Sequence, residues 1–341
     1  MKKSVFAVLV LSFLSFELSA EEKAHTLSQA GSSTSRPRSA VKACPGFDIN
    51  DPFSLSVRYS RGPRQGQCMN LFDYRPVQLL TPEEAKQYAE KAGLSEPQPG
   101  ELWAANVWHK GKFHVVRIPD LAVEEVLFQI ERFDPGIPIV DFLNKRRWFA
   151  AHAQVRFKLK PGMEATYIPQ KLDDSSKPIQ LSNIVFSSEA VRPKGESFGP
   201  LKGNNDHYGM AKRALSLEEA IDVSVRKLKH QIAQYPIKVT GTKDQMDRKR
   251  QDYLVSALQR GDKDFHTYQS GKPVYYNTKT KNCISDAIDI FDEISDYSHV
   301  SKASEKVAER SPREILGSLS ARGLLGGKYP SVNREFGYPN Y

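Results

Sequence analysis

The most suggestive chemistry in the chain surrounds Cys283, in the run Tyr275-Tyr276-Asn277-Thr278-Lys279-Thr280-Lys281-Asn282-Cys283-Ile284-Ser285-Asp286. From Ile284 onward the apolar residues Ile284, Ala287, Ile288, Phe291 and Ile294 recur at helical spacing. Asn282 is a good N-cap, which puts Cys283 in the first turn of that helix. A thiol there faces unpaired backbone N–H groups and the positive end of the helix dipole, both of which favour thiolate. Lys279 and Lys281 add positive charge. The arrangement suits a nucleophile, and the same N–H groups can later receive an oxyanion. An inert thiol packed under the preceding loop fits the segment equally well.

A nucleophilic thiol needs a base on a rigid element. The chain has eight histidines: His25, His109, His114, His152, His207, His230, His266 and His299. His25 lies in a polar leader, His109 at a hairpin tip, His230 inside a predicted helix, and His266 and His299 in loops. His114 and His152 lie on predicted strands, and His207 follows Asn204-Asn205-Asp206. His152 stands out because Ala151–Leu159 alternates strictly. Ala153, Val155, Phe157 and Leu159 form one face, and His152, Gln154, Arg156 and Lys158 the other. A base on the polar face can meet a thiol across a cleft. Asn183 and Glu189 are candidates to orient it. Asn277 is either an oxyanion donor or a turn residue.

Two other cysteines, Cys44 and Cys68, are close enough in sequence to pair in an oxidising compartment. The loop so closed would gain roughly 3 kcal/mol in the chain-entropy picture. That compartment is also indicated by the N-terminus. Lys2 and Lys3 precede an apolar run from Val5 to Phe16, and Leu18-Ser19-Ala20 offers a cleavage site. Residues 1–20 therefore read as a signal peptide and the protein as exported, to the periplasm.

Composition excludes other classes. With 39% hydrophobic and 26% charged residues the chain is neither disordered nor collagen-like. Its only long apolar run is the N-terminal one, so it is not a multi-span membrane protein. A net charge of +9 favours anionic surroundings such as a membrane surface or cell-wall polymer. Nucleic acid is not expected in the periplasm. No His or Cys pair has metal-ligand spacing and no phosphate loop is present, so neither metal nor cofactor is expected.

The elements that must position Cys283 and His152 divide the chain into a Ser/Thr-rich leader (21–43), an N-terminal region (44–145), a core (146–325) and a C-terminal tail (326–341). In the N-terminal region Thr81-Pro82-Glu83-Glu84 opens a helix stopped at Gly93. Leu102–Val107 and Phe113–Ile118 flank a hairpin turn, and Glu124–Phe133 is a further strand. In the core, Leu181–Val191 is expected as a strand. Ser216 opens a helix with the stripe Ile221, Val225, Leu228 and Ile232, stopped by Pro236. A helix from Thr242 ends near Gln259 before Gly261, and one from Ser311-Pro312 ends at Gly323. The expected class is α+β, an antiparallel sheet covered by helices.

Residues 100–325 resemble a family of exported bacterial domains that includes the Lnb-type enzymes, which N-acylate lipoproteins by moving an acyl chain. The resemblance rests on Ala151-His152-Ala153-Gln154-Val155-Arg156-Phe157, on Ser187-Ser188-Glu189-Ala190-Val191 and on Gly203-Asn204-Asn205-Asp206-His207-Tyr208-Gly209. It extends to the helix from Ser216, to Tyr276 followed by Asn282-Cys283, and to Ser311-Pro312-Arg313-Glu314. It implies a circularly permuted papain-like core with a catalytic His152–Cys283 pair. The implied activity is acyl transfer or hydrolysis on a cell-envelope ester or amide through a thioester. The implied partners are an envelope lipid, a lipoprotein or a peptidoglycan fragment. A cell-wall amidase or peptidase with the same pair, and a non-catalytic envelope scaffold, are the alternatives.

Overall fold

The structure is a computed structural model that describes residues 43–132, 151–171, 177–199, 202–295 and 312–340. The expected signal peptide (1–20), the expected leader up to Lys42, His299 and the expected Ser311 cap lie outside the described residues. Residues 43–341 group as one compact unit.

The strands are β1 (Gln78–Leu79), β2 (Leu102–His109), β3 (Lys112–Ile118), β4 (Val123–Arg132), β5 (Ala151–Leu159), β6 (Ala165–Pro169), β7 (Ile179–Leu181), β8 (Asn183–Val191), β9 (Gly209–Ser216) and β10 (Gln231–Pro236). They form one sheet in the order β10-β4-β5-β8-β9-β2-β3-β6-β7, with β1 paired to β2. Every pairing is antiparallel except the single β2–β9 bridge, Trp108 to Leu215. The regions 44–145 and 146–325 therefore share one sheet rather than dividing it. Near the N-terminus Cys44 and Cys68 form a disulfide with Cα atoms 5.5 Å apart.

The helices are α1 (Pro82–Lys91), α2 (Leu217–Ala220, continued by a π-helix Ile221–Lys227), α3 (Lys243–Gln269), α4 (Cys283–Ile294), α5 (Pro312–Ala321) and α6 (Val332–Glu335). Sheet and helices make an α+β fold. No described helix is long and apolar enough to cross a membrane.

The alternation of β5 determines what each face of the sheet meets. Ala153, Val155, Phe157 and Leu159 are buried in one apolar cluster with Ile184 and Phe186 of β8, Tyr253, Leu254 and Leu258 of α3, Ile288 and Phe291 of α4, and Leu319 of α5. The other face was expected to be open, but Gln154 and Arg156 are also buried. Arg156 donates to both carboxylate oxygens of Glu335 and to Gln234, at 2.7, 2.9 and 2.9 Å. Gln129 links Gln154 to Gln234 through bonds of 2.8 and 2.7 Å. This layer is covered by the C-terminal segment 326–340, which contains α6 and supplies Glu335. Burial of these groups is tolerable because they satisfy one another.

Three other expectations are corrected. The helix from Ser216 does not reach Pro236: it ends after Lys227, Lys229 takes φ +59°, and Gln231–Pro236 pairs with β4 instead. Ile221 and Val225 are buried, but Leu228 is 55% exposed and Ile232 is buried as a strand residue. The unpaired edge of β4 offers backbone partners that the helical continuation cannot use. The strand expected over Leu181–Val191 breaks at Ser182 into β7 and β8. Gly261 does not stop α3, which runs through to Gln269.

Gly261 marks a close approach instead. A Cβ there would lie 2.3 Å from Val77 Cγ1 and 3.0 Å from the Lys212 carbonyl oxygen. Gly261→Ala gains about 1 kcal/mol of helix propensity. Overpacking of this kind costs roughly 1–3 kcal/mol, so the net expectation is destabilisation. A lowered thermal midpoint checks this, and an unchanged or raised midpoint contradicts it.

Candidate active site

Cys283 opens α4 because Asn282 caps it. The Asn282 side-chain oxygen accepts from the backbone N–H groups of Ile284 and Ser285 at 2.9 and 3.0 Å, and Ser285 Oγ accepts from the Asn282 N–H at 3.0 Å. The Asn282 amide also donates to the Thr278 carbonyl at 2.8 Å, tying the cap to the loop before it. The apolar stripe Ile284, Ala287, Ile288 and Phe291 then packs the helix against the sheet. This anchors the thiol at the helix N-terminus, with Cys283 only 6% exposed.

His152 is the second residue of β5, and the β5–β8 register aligns Gln154 with Ser187. The same register carried two residues further sets Glu189 level with His152. The His152 Nε2 atom lies 2.6 Å from Ser187 Oγ and 3.2 Å from Glu189 Oε1, while Ser187 Oγ donates to Glu189 Oε1 at 2.7 Å. A serine hydroxyl has one proton, here given to the carboxylate, so the His152 Nε2 must carry the hydrogen in its bond to Ser187. Nδ1 is the nitrogen that Ser187 does not use, and Cys283 is near enough to raise the pKa of the ring.

The electrostatics follow from this geometry. Burial pulls the His152 pKa down, but the Glu189 carboxylate and Cys283 outweigh it and hold the imidazole well above the usual 6.5. Burial pushes Glu189 up, yet His152, Arg213 and the Ser187 hydroxyl together hold it below the ordinary carboxylate range. An imidazolium is thereby stabilised beside the thiol.

Tyr276 completes the cluster and was not singled out by the sequence, although it stands in the motif leading to Cys283. Its backbone N–H donates to the Tyr208 carbonyl at 3.1 Å, laying this segment beside the start of β9. Tyr276 lies near enough to Cys283 for the thiol and its backbone to influence the phenol. Burial, Cys283 and Glu189 all raise the pKa of this phenol, so it remains a proton donor. Ser187 was likewise missed as a partner of His152.

Two expected site residues lie elsewhere in role. Asn183 pairs with Lys158 in the β5–β8 register and accepts from Arg156 Nε at 2.8 Å, so it does not reach His152. Asn277 Oδ1 accepts from the N–H groups of Lys279 and Thr280 at 2.9 and 3.1 Å, which makes it a turn residue. The other described histidines have their own partners. His207 pairs with Glu196 and His230 with Glu131. His109 does flank the tip of the β2–β3 hairpin, but it is buried, bonds Ser216 Oγ at 2.7 Å, and burial followed by the charges of His114 and Lys110 lowers its pKa to about 4. Among the described residues no group of three or more His, Cys, Asp or Glu could hold a metal ion. Comparison of the chain with protein-family models, with curated proteins and with solved structures finds no match.

The dependence of His152 on Glu189 can be measured. Nitrogen-15 NMR titration of the ring should show deprotonation above the ordinary 6.5 in the native protein. In Glu189→Gln the opposing carboxylate is gone and burial dominates, so the imidazolium is lost at lower pH. An unchanged His152 titration would show that Glu189 does not set its charge.

Proposed function

We propose that the chain is a thiol-dependent acyl transferase or hydrolase acting on an ester or amide of the cell envelope through a Cys283 thioester. The observation carrying this reading is the His152 imidazole, held by Ser187 and Glu189 through Nε2 and near enough to Cys283 to feel its charge. The chain order, with the base on a strand ahead of the thiol on a helix, suits the permuted papain-like arrangement. The Cys44–Cys68 disulfide is compatible with export to the periplasm.

In the proposed mechanism the Cys283 proton already rests on His152 Nδ1 in a thiolate–imidazolium pair, and the thiolate attacks the carbonyl carbon. The Tyr276 hydroxyl, beside Cys283, donates to the developing oxyanion. The tetrahedral intermediate collapses, and Nδ1 returns the proton to the leaving alcohol or amine. Water or an acceptor amine, deprotonated at Nδ1, then attacks the thioester, and the pair is restored. Glu189 and Ser187 hold the ring throughout. An envelope lipid, lipoprotein or peptidoglycan fragment is the proposed substrate, and the net charge of +9 suits contact with an anionic membrane surface or cell-wall polymer.

Assays with a diacylated lipoprotein and with muropeptides test the reading and divide the transferase from the amidase. Cys283→Ser should abolish turnover of whichever substrate is used while leaving the fold intact. Tyr276→Phe should lower kcat by roughly 10²–10³-fold with little effect on KM, the size of effect that an oxyanion donor has. Full turnover by Cys283→Ser overturns the thiol mechanism and leaves the scaffold alternative.

A further inference from the structure

Arg213 of β9 is the direct cross-strand partner of Ser187, the residue bonded to His152. Directly paired residues project from the same face of a sheet, about 5 Å apart at Cβ. Arg213 is thus two strands, about 10 Å across the sheet, from the strand that carries His152. It is close enough to Glu189 to help hold that carboxylate ionised.

Several other arginines of the described unit are neutralised by carboxylates. Arg75 pairs with Asp51, Arg117 with Glu101, Arg156 with Glu335 and Arg260 with Asp289. Among the described residues Arg213 makes no ion pair or hydrogen bond, and its buried Nε has no partner. Two aromatic rings hold it instead, with the guanidinium carbon 5.1 Å from the centroid of Tyr74 and 5.7 Å from that of Trp108. Each ring has a further anchor. Arg192 donates to the Tyr74 hydroxyl at 3.1 Å, and Trp108 Nε1 donates to Glu219 at 3.2 Å. Arg213, Tyr74, Trp108 and Arg192 are all only half-buried, so a molecule entering the site can reach them.

A guanidinium packed against rings is fixed in position while its edge N–H groups stay available for a planar oxyanion. Tyr74 can add its own hydroxyl proton, and Arg192 a second positive charge. We propose that Arg213, braced by Tyr74 and Trp108, is a specificity residue that binds an oxyanion of the substrate, a carboxylate or a phosphate, while the acyl carbon sits at Cys283. The proposal rests on the thiol reading above and adds a substrate class to it: acyl compounds carrying a negative charge a few bonds from the scissile carbonyl.

Thiol alkylation of the full-length protein tests this without knowledge of the natural substrate. The reagents are N-iodoacetyl-β-alanine, N-iodoacetyl-phosphoethanolamine and the neutral N-iodoacetyl-β-alaninamide, with labelling at Cys283 read by mass spectrometry. At low ionic strength at least one anionic reagent should label Cys283 about tenfold faster than the neutral one, a ratio worth about 1.4 kcal/mol. Which anion is favoured assigns carboxylate or phosphate. Arg213→Gln should bring the anionic-to-neutral ratio close to one, and Arg213→Lys should keep part of it. Using the ratio cancels any change in thiol reactivity that the substitution transmits through Glu189. No anionic preference in the native protein, or the same preference in Arg213→Gln, overturns the proposal. If the neutral reagent itself fails to label Cys283 in the folded protein, the thiol reading fails and this inference falls with it.

Discussion

The site depends on the charge-assisted contact between His152 on β5 and Glu189 on β8, with the Ser187 hydroxyl between them. An imidazole in so enclosed a place, with its side chain 13% exposed, would otherwise be neutral, because burial penalises the cation. The carboxylate reverses that preference. It also fixes Nε2 as the donor to Ser187, because Ser187 spends its single hydrogen on Glu189 and must accept. Nδ1 is left for the thiol in the proposed mechanism. Arg213 on β9 helps keep Glu189 ionised, so three adjacent strands cooperate in the charge state of one ring.

The scaffold holds those strands from both sides by different means. One face of β5 is closed by apolar contact with α3, α4 and α5, which also fixes where α4 begins and hence where Cys283 sits. The other face is closed by a polar layer in which Arg156, Gln154, Gln129, Gln234 and Glu335 satisfy one another. Breaking one partner in such a layer strands the rest, which ties the C-terminal segment to the position of β5. His152 lies near the end of β5, beyond this layer, where the sheet meets the start of α4.

Local chemistry made half of the site legible in the sequence. Asn282 before an apolar helical stripe is a cap, and a cap fixes the first-turn residue, here Cys283. Strict alternation put His152 on a definite strand. What alternation cannot give is register: Asn183 and Glu189 are an even number of positions apart and so share a face of β8, and only the pairing of Gln154 with Ser187 selects Glu189. Tyr276 was hidden for a similar reason, because its place depends on the non-local pairing of its segment with Tyr208. The over-long helix after Ser216 shows the converse. Its apolar spacing satisfied a helix through Ile232, and an open strand edge on β4 claimed the second half.

The account predicts a covalent acyl-enzyme, and trapping it is the most direct measurement. The protein should be mixed with an acyl donor, quenched in acid, digested and examined by mass spectrometry. The expected result is an acyl group on the peptide containing Cys283, removed by neutral hydroxylamine as a thioester is. Turnover with no acyl group on Cys283, or with the acyl group on another residue such as Ser187 or Ser285, would contradict the account.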